Sequence, residues 1–420
     1  MSEYFNIKGG KTLQGEITIA GAKNHALKMI PAALLSEESC TLTNVPDISD
    51  VRLMGEIIES IGGRVNFENN SMKIEAPTIT TGNLPVDLVP KMRTSFLFIV
   101  PLLHRFGKVS FPHPGGDAIG RRPIDMTLDF LRDMGASIHE RPNSYEIEGG
   151  QLKGIDYTFK WVTHTGTEAL MMAAVLAEGT TVIKNSAMEP EVQALADYLN
   201  SVGAKISGAG TPTITIEGVE KLRGGECKII PDRIEAGTMA ILGALCGNPL
   251  TVKNIRVDHL DTLWKYFDLL GVAYNLTADS ITVYKSHSFP AQHIKTHEYP
   301  GFITDLQPPM TLLLTQASGL SMVHETIYEG RLFFVDKINS MGADIIMADP
   351  HRVLVQGPKR LYGKKISSPD IRAGITLVMA ALIAEGESQI FGIHHIDRGY
   401  QNLESRLKAI GADIERKTGN

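Results

Sequence analysis

The chain has 420 residues, 43% of them hydrophobic, and a formal charge of −6. That length allows two domains with separate cores, and the acidic balance excludes a nucleic acid or an anionic membrane engaged through the whole surface. Apolar runs such as 97–103 are too short to cross a membrane. Residues 4–19 alternate rather than forming the apolar stretch of a signal peptide, and Cys40, Cys227 and Cys246 form no CxxC pattern, so buried reduced thiols in a soluble cytoplasmic protein are expected.

In chain order, the alternating start leads through Gly21-Ala22-Lys23-Asn24 into an apolar stretch, 22–35, which predicts a helix buried on every side. Pro46-Asp47-Ile48-Ser49-Asp50 opens an amphipathic helix that stops at Ile61-Gly62-Gly63-Arg64-Val65. A second apolar stretch, 88–103, spans Lys91-Met92-Arg93, and its block stops at Met134-Gly135-Ala136. The third runs through a buried helix at 166–176, the turn Ala177-Glu178-Gly179, a strand at 180–184 and Glu189-Pro190-Glu191. An amphipathic helix at 191–202 ends it at Val202-Gly203-Ala204, and short strands follow at 205–207 and 213–217.

Pro231-Asp232-Arg233 opens the fourth buried helix, 233–245, whose block stops at Leu270-Gly271-Val272. The fifth begins at Thr304-Asp305 with a helix at 305–316, passes Glu329-Gly330-Arg331 and stops at Met341-Gly342-Ala343. In the sixth, Pro369-Asp370-Ile371-Arg372 opens a helix at 371–384 and a strand follows at 388–391. Asp397-Arg398-Gly399 then opens a helix at 399–410 that stops at Ile410-Gly411-Ala412.

A period of about 70 residues is too long for a solenoid and suits a supersecondary block. The glycines that end the amphipathic helices suit the left-handed C-cap conformation. The chain is therefore read as α/β, with six repeated blocks in two domains of three, sheets outside and buried helices within. The expected boundaries are 22–230 for one domain and 1–21 plus 231–420 for the other, with the active site in the cleft between them. Arg223-Gly224-Gly225 offers a hinge.

The loops that precede helices are natural anion sites, because free amides and the positive dipole end meet there. Asp47, Asp232, Asp370 and Asp397 can each serve simply as a cap. Arginine at the same place opposes the dipole unless an anion or a carboxylate offsets it. Of the 13 histidines, His293 and His297 stand four apart and His139, His297 and His324 each precede a glutamate, but no His-Glu-x-x-His motif occurs, so neither a metal nor any other cofactor is expected. Met171-Met172 reads as core, and His394-His395 as support for the loop that follows.

One connection is long and irregular: His113-Pro114-Gly115-Gly116-Asp117-Ala118-Ile119-Gly120-Arg121-Arg122-Pro123. Its glycines, prolines, single carboxylate and paired arginines make it a candidate active-site lid. Together with 21–24, 91–95, 114–123, 189–191, 231–238, 302–307, 325–331, 370–373 and 395–400, it gives the chain a resemblance to a known family over essentially its whole length. The chain resembles the UDP-N-acetylglucosamine 1-carboxyvinyltransferases, enolpyruvyl transferases of the committed path to peptidoglycan, whose fold is the two-domain inside-out α/β barrel.

The resemblance implies two substrates, UDP-N-acetylglucosamine and phosphoenolpyruvate, and no cofactor. It implies that Lys23 and Asn24 touch phosphoenolpyruvate and the sugar, and that Lys23, Arg122 and Arg398 surround phosphate and carboxylate. Arg93 would face the nucleotide sugar. Residues 122–126, namely Arg122, Pro123, Ile124, Asp125 and Met126, would line the uridine pocket with Trp161, Val162, Thr163 and His164. Asp305 would stand beside the attacking hydroxyl, Ile327 against the sugar, and Arg331, Asp370 and Arg372 would complete the charge set.

The family's usual loop residue at position 117 is cysteine, and Asp117 is a variant found in some members; as general acid it would protonate the methylene carbon of phosphoenolpyruvate. Trp161-Val162-Thr163-His164-Thr165-Gly166 replaces a typically smaller, partly basic segment that holds the uridine diphosphate. Thr127, Ser49 and Gly330 also depart from the family's pattern.

Overall fold

The computed structural model describes residues 2–115, 124–286 and 288–419. Asp117, Arg122 and Pro123, to which the sequence gives roles, lie outside the described residues. The chain forms two compact units, one of residues 2–20 with 231–419 and one of 21–115 with 124–230. Each has its own apolar core: one draws only on residues between Ala22 and Ile230, the other on Phe5 to Ile19 and Ile234 to Ile414.

Within unit 21–230 the apolar stretches become the buried helices Lys23–Ala32, Ile99–Phe106 and His164–Ala174. Three sheets accompany them among the described residues. Cys40–Thr43, Ser71–Glu75 and Arg64–Glu68 form one sheet, with Glu226–Lys228 as a parallel edge strand. Lys108–Pro112, Ser144–Glu148 and Ser137–Arg141 form the second. In the third, Asp156–Thr158 runs parallel to Thr180–Lys184, which pairs with Thr213–Glu217 and through it with Lys205–Ser207.

Unit 2–20/231–419 repeats the plan. Arg233–Cys246, Gln307–Leu314 and Ile371–Ile383 pack against one another. The strand Ser2–Lys8 lies between Glu387–Phe391 and Asp413–Gly419, antiparallel to both, so the N-terminus completes a sheet built otherwise from the far end of the chain. Leu13–Thr18 does the same as the parallel neighbour of Gly247–Lys253. The third sheet holds Ala317–His324, Arg352–Gly357 and Asp344–Asp349.

All six signature glycines have positive φ, from +66° at Gly271 to +116° at Gly203, the conformation in which an L-residue's Cβ is crowded. The short parallel strands that precede buried helices, such as Asp156–Thr158 and Lys365–Ser367, are a feature that the sequence reading lacked.

Two expected helices are interrupted. In place of one helix at 88–103 there are 3₁₀ turns at Val89–Lys91 and Arg93–Phe98 before Ile99–Phe106. Met92 between them is extended, and the Ser95 hydroxyl bonds the carbonyls of Met92 at 2.6 Å and Val89 at 3.0 Å, competing with a helical ladder. In place of 399–410 the helix is Leu403–Ala409, preceded by the short His394–Asp397 and by Asn402 at φ +47°. Arg223-Gly224-Gly225 belongs to unit 21–230, where Gly225 O accepts from Thr41 N at 2.9 Å. The chain passes from one unit to the other at Ala20/Gly21 and Ile230/Pro231 instead.

Candidate active site

Each unit carries a buried cluster of charges at the starts of its helices. In unit 2–20/231–419 the cluster is built on Asp305. That residue lies in the 3₁₀ turn Thr304–Leu306, which leads into Gln307–Leu314 through prolines placed where a first turn tolerates them. Asp370 caps Ile371–Ile383, accepting from Arg372 N at 2.8 Å and Ala373 N at 2.9 Å. The cap fixes the backbone of Arg372, whose Nη2 and Nε lie 3.0 and 3.1 Å from Asp305 Oδ2. From the loop 325–331, Arg331 Nη1 reaches Asp305 Oδ1 at 2.8 Å and Thr304 O at 3.3 Å.

Both guanidiniums are buried, and the Asp305 side chain is 19% exposed. Asp305 thus supplies the carboxylate that an arginine beside a helix start requires. Burial alone would raise the Asp305 pKa, but Arg372 and Arg331 outweigh it and hold the carboxyl well below the usual carboxylate range. A carboxylate so stabilised accepts hydrogen bonds well and takes up a proton reluctantly.

Further buried groups surround this core. Asp232 caps Arg233–Cys246 through Ile234 N and Glu235 N, and the Arg233 guanidinium lies over the Tyr299 ring at 5.3 Å. Arg372 Nη1 donates to Tyr400 Oη at 3.3 Å. Glu325 accepts from Thr304 Oγ1 at 2.9 Å and from the amides of Ile327 and Tyr328, which fixes the Ile327 backbone. Burial pushes the Glu325 carboxyl upward, against the pull of Arg331 and these bonds. Arg398 closes the short helix His394–Asp397 and is half-buried.

In unit 21–230, Lys23 opens its helix and meets Asp50 Oδ2 at 2.8 Å, with both side chains nearly buried. Asn24 follows, half-buried. Arg93 begins a 3₁₀ turn and lies 5.9 Å from the Phe96 ring centre. Ile124 precedes the helix Asp125–Asp133 and is buried, as is Met126, whose carbonyl accepts from Tyr157 Oη at 3.3 Å. Asp125 is exposed.

Trp161 is 55% exposed, and Val162 is half-buried. Thr163 caps His164–Ala174 by accepting from Gly166 N at 3.2 Å. His164, the first residue of that helix, has Nε2 3.2 Å from Glu168 Oε1, and Lys28 Nζ stands 3.2 Å from Glu168 Oε2, ion-pair distances without hydrogen-bond geometry. His25 Nδ1 accepts from Ile230 N at 3.2 Å, and burial holds its pKa down at about 4.

The structure therefore joins Asp305, Arg331 and Arg372 directly, with Asp370 positioning the last of them. It joins Lys23 to Asp50 and His164 to Glu168. The partners Asp50, Glu168, Lys28, Arg233, Glu325 and Tyr400 were missed as site residues. Asp50, Arg233 and Glu325 stood in quoted motifs, whereas Lys28 and Glu168 sit inside apolar helices with no local signal. Two of the four candidate caps act otherwise: Asp47 pairs with Arg52, and Asp397 with Arg416. Among the described residues no cluster of three or more His, Cys, Asp or Glu could hold a metal.

This arrangement has recognisable relatives. The sequence profile of the family described as EPSP synthase (3-phosphoshikimate 1-carboxyvinyltransferase) matches residues 7–407. A UDP-N-acetylglucosamine 1-carboxyvinyltransferase of Treponema denticola is 42% identical, covering 99% of this chain and all of the relative. The enzyme of that name from Halothermothrix orenii is 42% identical over 98% of this chain and 99% of its own. Among solved structures, the enolpyruvyl transferase NikO from Streptomyces tendae superposes with a TM-score of 0.92 at 23% identity, covering both chains fully. An EPSP synthase of Acinetobacter baumannii does so with 0.76 at 17% identity, over 99% of this chain and all of the other.

Proposed function

The chain belongs to the UDP-N-acetylglucosamine 1-carboxyvinyltransferase family, and on that ground we propose that it transfers the enolpyruvyl group of phosphoenolpyruvate to the 3′-hydroxyl of UDP-N-acetylglucosamine in peptidoglycan synthesis. The observation that carries the reading is 42% identity, over essentially the full length of both chains, to enzymes of that name. We place the reaction in the cytoplasm, where both substrates are soluble metabolites.

In this reading an acid protonates the methylene carbon of phosphoenolpyruvate as the sugar oxygen attacks the neighbouring carbon and loses its proton. The resulting tetrahedral adduct then gives up a proton from its methyl group, and the carbon–oxygen bond to phosphate breaks. The products are the enolpyruvyl ether and inorganic phosphate. Asp117 is the acid. A free aspartic acid ionises near pH 4, so an acid at position 117 needs the substrate's own negative charge to favour its protonated form.

Asp305 accepts the hydrogen bond of the attacking hydroxyl. Its two guanidiniums keep it ionised in the free protein, and a substrate anion that engages Arg331 or Arg372 makes it more basic. Lys23, Asn24, Arg122 and Arg398 take phosphoenolpyruvate. Arg93, Pro123, Ile124, Asp125, Met126, Trp161, Val162, Thr163, His164 and Ile327 take the nucleotide sugar.

The test is phosphate release from phosphoenolpyruvate with UDP-N-acetylglucosamine and with shikimate 3-phosphate in parallel, in wild type and Asp117→Asn. Release with the nucleotide sugar alone, reduced by about 10²- to 10⁴-fold in the variant, is expected. Release with shikimate 3-phosphate alone would replace the substrate; release with neither would leave a nucleotide-sugar-binding protein without this activity. A carboxylate is also a poorer nucleophile than a thiolate toward the epoxide of fosfomycin, so intact-mass measurement after fosfomycin treatment should show no adduct.

A further inference from the structure

Outside the residues that the proposed chemistry uses, the most unusual feature is a buried chain of charges in unit 21–230. Glu168, wholly inaccessible on the helix His164–Ala174, stands between Lys28 and His164, with Lys28 Nζ at one oxygen and His164 Nε2 at the other, each 3.2 Å away. Lys28 is itself buried, on Lys23–Ala32. A buried carboxylate and ammonium desolvated together gain little net stability over apolar residues of the same volume, so packing alone does not account for them. What the pair provides is a fixed negative charge beside His164, one helical turn along the same face.

We propose that Glu168 is a positioning residue for the nucleotide phosphates: anchored by Lys28, it holds the His164 imidazole at the start of its helix, where the imidazole meets a phosphate of the nucleotide sugar. This rests on the reading of the chain as an enzyme of UDP-N-acetylglucosamine. The charge arithmetic favours an anionic ligand. Lys28 and Glu168 cancel, so a proton on His164 leaves one positive charge at the positive end of a helix dipole, an arrangement that a phosphate relieves. The side chain of His164 keeps one-fifth of its surface exposed while Glu168 has none, so the histidine can touch a ligand and the glutamate acts only through it.

Burial works against protonation of His164, Lys28 opposes it as well, and Glu168 with Glu189 outweighs them, raising the pKa. His25, on the Lys28 helix, faces the same group and Glu191 but is held neutral by burial. Lys160, exposed, precedes Trp161-Val162-Thr163 and is a second cation of this stretch, outside the buried chain.

The experiment measures kcat and both KM values for wild type, Glu168→Gln, His164→Gln, the double variant of these two, and Lys28→Met/Glu168→Gln, which removes the buried pair together if the single change fails to fold. His164 is titrated by NMR in parallel. Expected is a rise of about tenfold in KM for UDP-N-acetylglucosamine in each variant, with little change in KM for phosphoenolpyruvate. The double variant His164→Gln/Glu168→Gln should be no worse than His164→Gln alone, and the His164 resonance should titrate at lower pH once Glu168 is replaced. Additive losses, a loss confined to kcat, or an unmoved titration would overturn the inference while the activity stands. A wild type inactive with the nucleotide sugar would overturn the activity reading and this inference with it.

Discussion

Asp305 shows how far one residue's chemistry is set by its neighbours. Replacing it by Asn leaves the buried guanidiniums of Arg331 and Arg372 without their shared carboxylate. Asp305→Asn should cost about 3–5 kcal/mol of stability and about 10²- to 10⁴-fold in turnover, measured by denaturant titration and by phosphate release. The pH dependence has a definite sign. A carboxyl held below its ordinary pKa contributes stability that is fully present above the unfolded value, near pH 4, and is lost as pH falls further. Wild type should therefore lose stability below about pH 4 through this group, and Asp305→Asn should lack that part of the slope.

The residue scale is also where the sequence was least complete. Asp305, Arg331 and Arg372 were legible because each stood in a polar loop beside an apolar helix. The Lys28–Glu168 pair was not, because the two lie in apolar helices far apart in sequence and acquire meaning only when those helices pack.

At the scale of elements, the signature glycines and the caps make different predictions. Gly203 has φ +116°, and an added Cβ would meet nothing within 4 Å. Gly203→Ala should cost about 1–2 kcal/mol, all of it conformational, with unchanged kinetics. Asp370→Ala loses a cap, also about 1 kcal/mol, but in addition frees the backbone that aims Arg372 at Asp305. Its stability loss should resemble that of Gly203→Ala while its kcat/KM falls at least about tenfold; equal kinetics in the two variants would contradict the positioning role of the cap. Apolar periodicity located the buried helices because a helix surrounded by protein must be apolar all round. It could not show the breaks at Met92 and Asn402, which arise from one hydroxyl's competing hydrogen bonds and one left-handed residue.

For the whole molecule, the two cores share no residue, and the core of unit 21–230 draws only on residues between Ala22 and Ile230. A fragment of residues 21–230 should fold alone and melt cooperatively by circular dichroism. A fragment of residues 231–420 should not, because it lacks the strand Ser2–Lys8 that pairs with both Glu387–Phe391 and Asp413–Gly419. Adding a peptide of residues 1–20 should restore its folding; recovery without the peptide would show that the N-terminal strand is dispensable.

The sequence by itself determined the six-block α/β plan, because buried helices, glycine stops and short alternating strands are each demanded by local sterics or by exclusion from water, and both leave a pattern along the chain. It also marked the polar loops from which the Asp305 cluster is drawn. Only the tertiary structure decided which charges face one another. Ion pairing depends on distances of a few ångströms between residues tens to hundreds of positions apart, and no periodicity records that. Packing of the helices made Asp305 a carboxylate shared by two arginines, and set Lys28 against Glu168.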